Sequence, residues 1–93
     1  MNMQLHFETR GGSVREVAVI SKILADLVRT VQLIDFDIAA EEERARVSDR
    51  SAAKYPMLAR TLIERRGNLK MTIAALERRL IERAQHEDVA TAA

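Results

Sequence analysis

Between Val17 and Ala45 an apolar residue recurs at nearly every third or fourth position: Val17, Ile20, Leu24, Leu27, Val31, Ile34, Ile38 and Ala45. Glu41 is the one interruption. A repeat near 3.5 residues places these side chains on one stripe of an α-helix, the seam that a partner helix fills in a coiled coil. A second stripe follows Pro56 and comprises Ala59, Leu62, Ile63, Leu69, Ile73, Leu76, Leu80 and Ala84. The pattern therefore predicts two long helices, the first over about 14–47 and the second over about 56–86.

The remaining segments are read by contrast. Met1, Met3, Leu5, Phe7 and Thr9 alternate with polar residues, the period of a half-buried strand. No second strand pattern occurs in the chain, so residues 1–12 are expected to form an extended arm that either pairs with its copy in another subunit or packs without a strand partner. Gly11-Gly12 ends that arm, and Ser13 with Glu16 makes a capping box ahead of the first helix. Residues 48–55 lose the repeat, and Pro56 suits the first turn of a helix because its missing N–H would have no partner there. Gly67 is expected to weaken the second helix without breaking it. Residues 13–88 then form one helical hairpin, and 89–93 a frayed tail.

The charges favour an antiparallel fold-back. The first helix is acidic late (Asp35, Asp37, Glu41, Glu42, Glu43) and the second basic early (Arg60, Arg65, Arg66, Lys70). Folding near residue 52 sets Leu24 opposite Leu80, Leu27 opposite Leu76, Val31 opposite Ile73 and Ile34 opposite Leu69. Arg66 then falls on the seam close to Glu41, and the two are expected to form an ion pair that fixes the register. A single rod kinked at Pro56 and paired with a second chain would use the same contacts; the lapse in period and Tyr55-Pro56 favour the hairpin.

Composition narrows the class to all-α. The 93 residues make one small domain, 47% hydrophobic but only 3% aromatic, so the core must be aliphatic. With 31% charged residues the chain is too polar to span a membrane. A net charge of +1 gives no basic excess for nucleic acid, and the absence of cysteine removes disulfide and thiolate chemistry. No basic and apolar leader opens the sequence, which points to the cytoplasm.

Candidate chemistry is sparse. His6 and His86 lie near the two ends, no Glu-x-x-His pair faces a bundle core, and Ser13 and Ser48 read as cap and loop residues. These absences argue against an enzyme, a metal or a cofactor. Arg65, Arg66, Arg78, Arg79 and Arg83 would line a phosphate-binding groove, but Glu64, Glu77, Glu82 and Glu87 are interleaved with them as on a solvated helix face. More informative are Leu33 and Phe36, which point away from the seam along a line with Val19, Ala40 and Val47. A lone two-helix hairpin of this length has little core, so a second apolar face implies self-association. The sequence thus predicts a hairpin that dimerises into a four-helix bundle through Leu33, Phe36, Leu5 and Phe7, acting as a protein–protein interaction module for a partner it does not identify. The alternative is a nucleic-acid-binding regulator that uses paired N-terminal strands or an arginine-lined face.

Overall fold

In the computed structural model the backbone is described for residues 9–92 and the side chains for 14–85. Two helices, α1 (Thr9–Ala45) and α2 (Met57–Ala92), pack against each other as a hairpin. At 1.5 Å per residue the 37 residues of α1 extend about 55 Å, which matches the 59 Å long axis of the molecule. The radius of gyration is 19.7 Å, against about 12 Å for a compact domain of this length. Such a rod has almost no interior.

The seam of α1 falls where its repeat places it. Ile20, Val31, Ile34 and Ile38 are buried, and Val17, Leu24, Leu27, Glu41 and Ala45 are half-buried along the same line. On α2 the seam runs through Ala59, Leu62, Arg66, Leu69, Ile73, Leu76, Leu80 and Arg83, in alternating steps of three and four residues. Ala84, expected on that stripe, is exposed, and the half-buried Arg83 takes the position beside it.

α1 begins earlier than expected. Gly11, Gly12 and Ser13 lie within it, so Ser13 is not its N-cap and residues 9–12 are helical instead of extended. No glycine among the described residues adopts a positive φ, so nothing at the Gly11-Gly12 pair diverts the chain from the helix. Residues 1–8, the rest of the expected arm, lie outside the described residues. α2 likewise continues past His86 to Ala92.

α1 stops in a Schellman motif. The Arg46 N–H donates to the Glu43 carbonyl and the Val47 N–H to the Glu42 carbonyl, each at 3.2 Å. Arg46 takes the left-handed conformation with φ 56°. Asp49 then organises the connection, accepting from the Ser51 N–H at 3.0 Å and the Ser51 hydroxyl at 2.7 Å. These two bonds, the hydroxyl's first, hold its carboxyl below the usual aspartate range. Tyr55 closes the end of the hairpin. Its side chain is buried, its hydroxyl donates to Glu42 at 2.6 Å, and the Arg60 guanidinium lies 5.2 Å from the ring centre. Pro56 gives its carbonyl to the Arg60 N–H and so starts α2 at Met57.

The register is shifted by about one helical turn from the expected one. Arg66 Nη1 binds Asp35 Oδ1 at 2.6 Å, and Arg83 Nε lies 3.2 Å from Glu16 Oε2. A register midway between these two contacts sets Leu24 level with Leu76 and Val31 level with Leu69, with the long Arg79 side chain reaching back about five residues to Glu16. Every seam residue of α1 from Val17 to Glu41 is then level with a seam residue of α2. In the expected register only alternate ones are, the others facing the flank of α2. The step order along the two seams selects the observed match.

Candidate interaction surface

Helical geometry turns each residue by about 100°, so the residue midway between Ile34 and Ile38 points away from the seam. That residue is Phe36, and it is 73% exposed. Leu33, one turn earlier on the same side, is 60% exposed. Around them Ala25, Gln32, Ala39 and Ala40 are exposed as well. The back of α1 therefore carries a low strip of small and uncharged residues with two large apolar side chains standing on it, bounded along the helix by the charged Arg29 and Glu43. Val19 is exposed on the same side about 21 Å back along the helix from Leu33, whereas Val47 lies past the helix end and is half-buried in the loop. Expected and observed placement agree for Leu33 and Phe36: both stand outside the hairpin core. Leu5 and Phe7 lie outside the described residues.

The polar margins of this strip differ. Asp35, on one side, is tied across the seam to Arg66. Asp37, on the other, opens onto a shallow groove of about 340 Å³ between the helices near the loop. Ala40, Leu58 and Leu62 give that groove an apolar lining, and Asp37, Glu41 and Arg44 give it a charged one. Leu58 is itself exposed. Apolar surface thus continues from the back of α1 around one flank toward the start of α2.

The proposed register pair is not made. Arg66 reaches Asp35, and Glu41 accepts from Arg44 Nε at 2.8 Å within its own helix. The observed register sets Glu41 level with Ala59 and places Asp35 one residue from Ile34, which Arg66 faces. The signal that would have found Asp35 is the step matching described above, since it moves Arg66 from the height of Ile38 to that of Ile34.

Arginines on α2 are engaged with α1. Arg79 donates through Nε to Glu16 at 2.7 Å, and a second guanidinium nitrogen also bonds that carboxylate. With Arg83 and Arg66, three of the five arginines considered for a phosphate groove are thereby occupied by carboxylates. Among the described residues no three His, Cys, Asp or Glu side chains come together as metal ligands. Among them, too, no helix is long and apolar enough to cross a membrane.

What the arrangement offers chemically is apolar contact. The strip around Leu33 and Phe36 has shape and hydrophobicity, flanked by carboxylates, and no cluster of reactive groups. Comparison with family models, with characterised proteins and with solved structures finds no match to this chain.

Proposed function

We propose that this protein is a non-catalytic protein–protein interaction module that acts as a homodimer, two hairpins joining into a four-helix assembly in the cytoplasm. One observation carries the reading. Leu33 and Phe36 stand side by side, 60% and 73% exposed, on a helix whose opposite face supplies most of the core. Burying each stabilises by roughly 1.5–3 kcal/mol, and a symmetric dimer gains that twice. The thinness of the hairpin supports the same reading, because a single seam gives a chain of this size little independent stability. Other exposed apolar side chains, among them Leu58 beside the groove and Met57, Met71 and Ile81 on α2, are left to a further protein partner.

Sedimentation equilibrium across a wide range of protein concentration, with and without added duplex DNA or RNA, tests this reading. The expected result is reversible association to a mass of two chains, unaffected by nucleic acid. A chain that stays monomeric throughout, and binds nucleic acid with an affinity that falls steeply with salt, would replace it with the nucleic-acid-binding alternative.

A further inference from the structure

On the back of α1, Arg29 and Glu43 are opposite charges placed symmetrically about Phe36. Lys22, Arg29, Phe36 and Glu43 follow one another at intervals of seven residues on the face opposite the seam, and all four are exposed. Arg29 and Glu43 are equally far from Phe36, two turns toward each end of the helix, about 10.5 Å along the axis. Neither makes an ion pair among the described residues. In this they differ from Glu16, Asp35, Arg66, Arg79 and Arg83, which are paired across the seam.

From this symmetry we infer that the occupant of the face is a second copy of the chain, with the two α1 helices antiparallel about a two-fold axis at Phe36. The inference rests on the homodimer reading above and specifies its geometry. A two-fold axis through the height of Phe36 sets each residue level with the one equally far beyond Phe36 on the other helix. Phe36 then packs near the partner's Phe36, and Leu33 lies against the partner's Ala40, a large side chain facing a small one on the same flank. Arg29 comes level with the partner's Glu43, and this pair occurs twice. Asp35 and Asp37 stand on the two flanks of Phe36, each on the same side as its copy in the partner, at the solvated edges of the contact. The small residues at Ala25, Ala39 and Ala40 let the two backbones approach. Because Phe36 stands opposite the seam, the four helices lie in a row, α2 outermost on both sides. A symmetric contact centred instead on Leu33 would bring Lys22 level with the partner's Arg44, a like-charge pair. It would also set Arg29 against the partner's Asp37.

Charge reversal with full-length protein tests the arrangement, read as the dimer dissociation constant by sedimentation equilibrium. Arg29→Glu alone and Glu43→Arg alone each turn two attractions into two repulsions, and each is expected to weaken the dimer roughly tenfold. The double variant Arg29→Glu/Glu43→Arg is expected to return to within about twofold of the unmodified protein, since exposed pairs of either polarity are equivalent to first order. All these positions are exposed, and unchanged helicity by circular dichroism confirms that the hairpin is intact. Single reversals that leave a dimer unaffected would overturn the Phe36-centred geometry while the homodimer reading stands. Rescue of Arg29→Glu by Asp37→Arg, and not by Glu43→Arg, would overturn it in favour of the Leu33-centred contact. An unmodified protein that is monomeric at every concentration would overturn both.

Discussion

Tyr55 is the residue on which the loop end of the hairpin depends. It is buried against the start of α2, and its hydroxyl donates to Glu42 across the turn. Burial raises its pKa above the ordinary value of 10.0, and the hydrogen bond to Glu42 and that carboxylate's charge add to the effect, partly opposed by Arg50. A phenol whose folded pKa lies above its unfolded one contributes stability in full below the unfolded value and loses it as pH rises through the folded value. The chain has a single tyrosine, so its phenolate absorbance reports this site alone. Titration of the folded protein is expected to show a midpoint above that of the urea-unfolded chain; equal midpoints would contradict the burial. Arg46 offers a second test, because a side chain in the left-handed region is strained where glycine is not. Arg46→Gly is expected to stabilise the hairpin by up to about 1 kcal/mol in urea denaturation. Single residues were the least legible part of the sequence. Ser13 and Glu16 carry the letters of a capping box, but a cap is only a cap where the helix begins. Glu16 instead serves Arg79 and Arg83, more than sixty residues away in sequence, a use that no local motif encodes.

At the scale of the elements, the two helices and their connection were readable because a repeat sustained over four heptads outweighs local propensity. Register was readable only in part. The expected fold-back direction is correct, and its offset by about one turn comes from matching apolar residues without matching the order of three- and four-residue steps. A disulfide test separates the two registers. Leu24→Cys/Leu76→Cys is expected to oxidise to an intramolecular disulfide faster than Leu24→Cys/Leu80→Cys, because only the first pair is level across the seam. Faster closure of the second pair would restore the sequence-derived register, and an exclusively intermolecular product would contradict the hairpin. Gly67 carries a prediction of its own. A Cβ added there meets nothing within 4 Å, so Gly67→Ala is expected to stabilise α2 by about 0.5–1 kcal/mol, read as a higher urea midpoint. A lower midpoint would show that the position is packed against something in the native assembly.

The whole molecule is a rod 59 Å long and 16 Å across at its thinnest, with six apolar side chains buried among the described residues. That economy is the physical reason to read its function from its outer surface. Periodicity exposed the second face of α1 in the sequence, because Leu33 and Phe36 fall off the seam. What covers that face is not encoded in the periodicity of one chain, and Leu5 and Phe7 lie outside the described residues. In the proposed homodimer Leu33 and Phe36 hold the two copies together. Light scattering of the Leu33→Ser/Phe36→Ser variant beside the unmodified protein, over a range of concentrations, tests it most directly. Both side chains are exposed in the hairpin, so the substitutions leave its seam intact. The unmodified protein is expected to have the mass of two chains and a melting temperature that rises with concentration. The variant is expected to have the mass of one chain and a lower, concentration-independent melting temperature. A variant that remains a dimer with the same melting behaviour would contradict the account.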